Sequence, residues 1–86
     1  MATEQITQTE FTDIAQASKL RMGRAWQSVG MINQALSVYE QLLADHPDTT
    51  EARGAAESML SLAQAFEREG HYHRAMDLYD KLERLS

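Results

Sequence analysis

Apolar residues recur along the chain at steps of three and four, with polar residues between them. That spacing places the apolar residues on one face of an α-helix. Four stretches show it, and they cover residues 11–29, 32–43, 52–66 and 72–85. Ile and Val, which favour strands, are scarce throughout. The pattern predicts an all-α fold of four helices, arranged as two antiparallel helix-turn-helix hairpins.

The first apolar stripe assigns a buried face to the first helix. Its members are Phe11, Ile14, Ala15, Ser18, Met22, Ala25, Trp26 and Val29. Methionines at helical spacing usually fill gaps between helices, so Met22, Met59 and Met76 are predicted to lie in the core. Both predictions follow from periodicity alone.

Glycine and proline mark where the predicted helices stop. Gly30 and Gly70 each follow an apolar stripe, where glycine suits the left-handed residue that closes a helix. Pro47 prevents the second helix from continuing much beyond Asp45. The two glycines therefore predict tight turns within the hairpins, and the proline predicts the connection between them.

Two spacings resemble capping boxes at the starts of helices. Asp48 precedes Glu51 by three residues, so the third helix is predicted to begin after an Asp48 cap. Thr7 and Glu10 have the same spacing ahead of the first helix. Residues 1–8, which are rich in Thr and Gln, are expected to form a flexible tail.

The chain repeats itself at an offset of 40 residues, which indicates two copies of one structural unit. Identical residues superpose at Ser18 and Ser58, Leu20 and Leu60, Ala25 and Ala65, Gly30 and Gly70, Ala35 and Ala75, Tyr39 and Tyr79, and Leu42 and Leu82. Conservative pairs include Met22 with Leu62 and Trp26 with Phe66.

Composition limits what this fold can do. The chain has 86 residues, a net charge of −5 and no cysteine, so it fits one small domain without disulfides or thiolate metal sites. The acidic balance argues against nucleic-acid binding, and no long apolar run suggests a membrane or a secretion signal. We expect a cytoplasmic protein with no metal and no cofactor. No catalytic constellation is visible, so an enzyme is not expected.

The repeated residues resemble the tetratricopeptide repeat. The first copy matches its signature at Met22, Gly23, Trp26, Ala35, Tyr39 and Pro47, and the second at Met59, Leu62, Ala63, Phe66, Ala75 and Tyr79. Three features depart from the signature: Lys19 replaces a large apolar residue, Leu42 and Leu82 replace alanine, and the period exceeds the usual value of about 34. We attribute the longer period to lengthened first helices.

The resemblance implies a domain over residues 9–86, stacked as a short right-handed superhelix. Repeat one would cover about 10–46 and repeat two about 48–86. Members of this family are usually non-enzymatic adaptors or scaffolds that hold a peptide or helix of a partner protein in a groove. The residues that the resemblance aims at that groove are Leu20, Arg21, Arg24, Gln27, Leu60, Ser61, Gln64 and Arg68.

A small basic island lies within this predicted groove. Between Asp13 and Glu40 the only charged residues are Lys19, Arg21 and Arg24. Arg21 and Arg24 are three residues apart, so two guanidinium groups could clamp a carboxylate of an acidic partner. The alternative interpretation is a solvated basic face without a ligand.

Two repeats are fewer than such arrays normally need, which raises the alternative of a structural self-assembly module. Its open repeat faces would pair through Phe11, Ile14, Met76, Tyr79 and Leu85, and a homodimer is the expected product. The competing expectation is a monomer whose uncovered face receives another protein.

Two histidine patterns have both a functional and an ordinary structural interpretation. His46-Pro47-Asp48 matches the tripeptide of J-domain co-chaperones, but the preceding helix lacks the basic residues such a domain needs, so a helix-ending turn is the favoured interpretation. His71 and His73 are two residues apart and point to different faces of a helix, which disfavours a metal site.

Overall fold

The computed structural model describes the backbone of residues 8–85 and the side chains of residues 13–85. Four helices make up this part of the chain: α1 (Gln8–Ser28), α2 (Ile32–Asp45), α3 (Thr50–Arg68) and α4 (Tyr72–Leu85). No strand occurs in residues 8–85. The all-α prediction is confirmed. The Thr7–Glu10 capping box, the tail and the side chain of Phe11 lie outside the described residues.

The two hairpins turn on glycine, as predicted. Gly30 and Gly70 have φ angles of 85° and 84°, in the left-handed region. In each turn the next residue returns to the helix: the Met31 amide donates to the Trp26 carbonyl at 2.9 Å, and the His71 amide donates to the Phe66 carbonyl at 2.8 Å. The same closing motif therefore ends both α1 and α3.

The connection between the hairpins differs from the prediction by one residue. The cap of α3 is Thr49, whose Oγ1 accepts a hydrogen bond from the Ala52 amide at 3.1 Å. Asp48 is not the cap because it lies inside a turn that the Thr49 amide closes on the His46 carbonyl at 3.2 Å. Pro47 with its fixed φ suits the second position of that turn.

The core lies between α2, α3 and the inner faces of the other two helices. Within each hairpin α1 packs on α2 and α3 on α4, while α2 against α3 joins the hairpins. The buried apolar residues are Ala35, Tyr39, Leu42, Leu43, Ala52, Ala55, Met59, Leu62, Ala63, Phe66, Ala75 and Leu78. Met59 is therefore in the core, as predicted.

The predicted buried face of α1 is wrong for most of its described members, and only Ser18 and Trp26 among them are half-buried. Ile14, Met22 and Val29 are 61%, 49% and 69% exposed. The helix instead buries Gln16 and Gly23, because Gly23 admits the Tyr39 ring so closely that a Cβ would lie 2.7 Å from Cε1. Ile14, Met22 and Val29 consequently remain largely exposed, whereas Trp26 of the same stripe is half-buried and packs against the core.

Two further core predictions fail for related reasons. Met22 lies on the uncovered stripe of α1 and does not enter the core. Met76 is 65% exposed, since α4 turns Ala75 and Leu78 inward. A buried polar residue was also missed: Gln16 is 3% exposed, and its Oε1 has no hydrogen-bond partner among the described residues. Such an unpaired acceptor costs stability.

Candidate functional site

The predicted groove residues of α1 are only partly free to meet a ligand. Leu20 is half-buried, and its Cδ2 lies 3.0 Å from where a Cβ on Gly54 would stand. The glycine lets α3 approach this leucine closely. Leu20 therefore packs the two hairpins together and is not an open apolar anchor.

Arg24 also connects α1 to α3. Its Nε donates to Ser58 Oγ at 3.5 Å, and its Nη2 lies 3.1 Å from the Cβ position of Gly54. Arg21 is exposed one turn away, with Nη2 donating to Ser18 Oγ at 3.0 Å. Within residues 13–85 neither arginine lies in an ion pair. No carboxylate among the described side chains therefore pairs with either guanidinium group.

A polar cleft of about 360 Å³ opens beside Arg24. It is lined by Arg24, Gln27, Ser28 and Ser58. Sequence reasoning missed Ser58 as a site residue, although its repeat partner Ser18 contacts the other arginine. The cleft can offer a guanidinium and two hydroxyls to an anionic or amide group.

Gln27 has a structural role in addition to lining this cleft. Its Oε1 accepts a hydrogen bond of 2.6 Å from the hydroxyl of Tyr39. Burial raises the pKa of Tyr39 above its usual value of 10.0, while Ser58 and the charge of Arg24 act in the opposite direction. The hydrogen bond satisfies the one polar atom of a ring that is otherwise fully buried.

The second repeat contains the same hydrogen bond 40 residues later, in a second cleft of about 600 Å³. The Tyr79 hydroxyl donates to Glu67 Oε1 at 2.8 Å. Two predicted groove residues line this cleft together with three that were not predicted for it: Gln64, Glu67, Arg68, Tyr72 and Tyr79. Glu67 could have been found from the repeat, since it stands 40 residues after Gln27.

Replacing Glu67 by glutamine should lower the pKa of Tyr79 towards 10.0. The hydrogen bond to Glu67 is the largest cause of the raised pKa, followed by burial and the carboxylate charge. A raised pKa favours the neutral phenol in the folded state, so this interaction stabilises the fold fully below pH 10 and is lost as the pH rises through the folded-state pKa. NMR of tyrosines labelled at ¹³Cζ, followed from pH 8 to 12, measures it.

The reciprocal change supplies the control for this titration. Gln27→Glu places a carboxylate beside Tyr39 and should raise the pKa of that phenol further. An unchanged Tyr79 pKa in Glu67→Gln would contradict the assigned cause.

Leu60 lies in a third place, apart from the two polar clefts. It is 42% exposed and lines an apolar groove of about 520 Å³ between α3 and α4. The other lining residues are Arg53, Ala56, Glu57, Tyr79, Leu82 and Glu83. Ser61 is exposed on α3. Arg24 and Gln27 thus line one polar cleft, Gln64 and Arg68 line the other, and Leu60 lines the apolar groove. Leu20, Arg21 and Ser61 line none of the three.

The described residues offer little for metal chemistry. No group of three or more His, Cys, Asp or Glu side chains in residues 13–85 is arranged to hold an ion. His71 Nε2 lies 3.9 Å from Glu69 Oε1, and both side chains are more than half exposed. None of the four described helices has the length and apolar character needed to cross a membrane.

Two stacked helical hairpins with equivalent glycine turns, equivalent tyrosine hydrogen bonds and a shared core define an α-helical repeat protein. The tetratricopeptide repeat family model matches residues 17–49 and 57–85, so the chain belongs to that family. Comparison with curated proteins and with solved structures finds no match in either set. Tetratricopeptide repeats generally mediate protein–protein interaction, and this is the class of function the fold supports.

Proposed function

We propose that the protein is a non-enzymatic adaptor that binds an acidic segment of a partner protein across the surface formed by α1 and α3. The observation that carries this proposal is the pair of exposed arginines, Arg21 and Arg24, which have no carboxylate partner within residues 13–85. In a chain of net charge −5, such a pair is a local exception. Uncompensated arginines beside a polar cleft favour carboxylate recognition.

Preordering of one arginine supports the same proposal. The hydrogen bond to Ser58 and the contact with α3 at Gly54 restrict the side chain of Arg24. A restricted side chain loses less rotamer freedom when a ligand binds. Arg24 would therefore fix the ligand, while the more exposed Arg21 adapts to it.

The proposed surface continues along α3 towards its C-terminal end. Gln64 and Arg68 line the second cleft, where Arg68 would contact a second acidic or polar group. Ser61, exposed on the same helix, would add a hydroxyl. A segment that follows α1 and α3 in this way would be recognised as an extended peptide by charge and by hydrogen bonds.

Charge reversal of the arginine pair tests the proposal. The probe is a fluorescein-labelled twelve-residue peptide of alternating Glu and Ala, compared with a peptide in which Gln replaces Glu, and binding is measured by fluorescence anisotropy at low salt. Arg21→Glu with Arg24→Glu should weaken binding of the acidic peptide at least about tenfold, because two charge-assisted contacts are lost. Binding should also weaken as salt rises.

A matched variant separates this effect from net charge. Arg74→Glu with Arg84→Glu makes the same change in charge on α4 and should leave peptide binding nearly unchanged. Equal binding by both double variants, or equal binding of the Glu and Gln peptides, would show that the α1–α3 surface does not recognise carboxylates.

A further inference from the structure

Residues 40 positions apart in the two repeats differ in burial, and the differences map two uncovered faces. On α1, Met22 is 49% exposed, whereas its counterpart Leu62 on α3 is 7% exposed. Ile14 is 61% exposed, whereas its counterpart Gly54 is buried against α1. The face of α3 that packs on the first hairpin therefore has an equivalent on α1 that is uncovered within the described residues.

The opposite difference occurs at the other end of the molecule. Tyr39 and Leu42 are 0% exposed, but their counterparts Tyr79 and Leu82 are only half-buried. Together with Leu60 they line the apolar groove between α3 and α4. On the first hairpin, α3 covers the equivalent surface. On the second hairpin, that surface is exposed and forms this groove.

The internal junction shows what occupies such a groove. Leu20 approaches α3 at Gly54, and Arg24 hydrogen-bonds Ser58, so α3 lies across the first hairpin with its own apolar face inward. By the 40-residue repeat, the element that would lie in the same way across the second hairpin is a helix with the apolar register of α1.

We infer that a second copy of this chain docks the uncovered stripe of its α1 into the groove between α3 and α4, so that copies join head to tail. This contact between two molecules would repeat the junction that joins the two hairpins within one molecule. Two different surfaces meet in this contact, so it is heterologous.

Charge favours α1 over an uncharged apolar helix as the occupant. Lys19 lies beside the stripe of α1, at the position where α3 has the fully buried Met59. Buried lysine needs an opposite charge. The groove supplies a carboxylate at its rim, since Glu57 is among its lining residues.

One position must differ between the internal and the intermolecular junction. Ile14 stands where α3 has Gly54, so the incoming α1 sits further from the groove than α3 does from the first hairpin. By the same offset, Ile14 would face Leu60 and Gln64, the counterparts of the Leu20 and Arg24 side chains that lie against Gly54.

A head-to-tail contact does not close after two copies, so mass should rise with concentration beyond the dimer. Light scattering after size-exclusion chromatography, over a dilution series of the whole chain, measures it. Met22→Asp places a charge on the uncovered stripe of α1, and Leu60→Asp places a charge in the groove between α3 and α4. Each variant should therefore lose one of the two contacting surfaces. Met31→Asp is the matched control, because Met31 lies in the α1–α2 turn with the same 42% exposure as Leu60.

The decisive sample is a mixture of the two variants. Each variant alone should be monomeric, but the mixture should form a species of two chains and no larger, because only one intact junction is available. Circular dichroism checks that helicity is retained, and Leu60→Ser replaces Leu60→Asp if it is not. A wild-type monomer at every concentration overturns the inference. So does a dimer in either variant alone, since that would be a symmetric contact through one end.

Discussion

Replacing Leu42 by alanine is expected to leave the protein largely unfolded or close to its unfolding midpoint at 37 °C. Leu42 is 0% exposed at the junction of the two hairpins. Removing a fully buried leucine side chain costs about 2–5 kcal/mol, and a core of this size supplies little more than that. The melting temperature should fall by at least about 8 °C, since each kcal/mol shifts it by about 4–8 °C in so small a domain.

The repeat supplies a matched substitution for this measurement. Leu82→Ala removes the same atoms at the equivalent position of the second hairpin, where the side chain is only half-buried. Its cost should be about 1 kcal/mol, because less apolar surface returns to water. Thermal unfolding followed by circular dichroism at low protein concentration compares the two variants. Equal losses would mean that Leu82 is buried as completely as Leu42 in solution.

The second large effect is expected from adding a methyl group at Gly23. A Cβ there would lie 2.7 Å from Tyr39 Cε1, in a ring that is fully buried and hydrogen-bonded to Gln27. The ring cannot retreat without losing that bond or distorting the core. Such overpacking costs about 1–3 kcal/mol. The measured loss of stability should be smaller than this packing cost, because alanine is favoured over glycine within a helix by about 1 kcal/mol.

Gly54→Ala isolates the packing contribution. It gains the same helix propensity on α3, but its Cβ would meet the ends of two flexible side chains, Leu20 Cδ2 at 3.0 Å and Arg24 Nη2 at 3.1 Å. Those ends need to shift by only a few tenths of an ångström, which costs less than moving the buried Tyr39 ring. In chemical denaturation Gly23→Ala should therefore be less stable than Gly54→Ala by about 1–3 kcal/mol. Equal stability of the two variants would contradict the close approach of Tyr39 to α1.

Much of this architecture can be predicted from the sequence, because its signals are local. Gly30 and Gly70 require positive φ, and Pro47 interrupts a helix wherever the chain is found. The 40-residue offset then establishes that the two hairpins are built alike. The start of α3 was misplaced by one residue, since Asp48 and Thr49 are both good caps and only the turn before them decides which one is used.

The buried side of α1 could not be predicted in the same way. Its apolar stripe is genuine, but periodicity does not tell which stripe is covered when a helix has two candidate sides. The side that α2 covers is chosen by Gly23, a residue that carries no hydrophobic signal. Helical spacing alone likewise predicts that Met22 and Met76 lie in the core, but both side chains are exposed.

For the candidate site, the sequence predicts which residues line the clefts better than it predicts how those residues are arranged. Arg24 and Gln27 do line one cleft, and Gln64 and Arg68 line another. Leu20 could not be separated from Leu60 by sequence, because the two are repeat equivalents. What distinguishes them is that α3 covers the first and nothing within residues 13–85 covers the second.

The paired glycine turns also bear on how fast the chain folds. Each turn joins two helices over three residues, so most of the partners within a hairpin are close in sequence. Bringing such partners together loses little chain entropy, and domains dominated by local contacts fold in microseconds to milliseconds. Either hairpin can therefore form first and serve as the surface on which the other is completed.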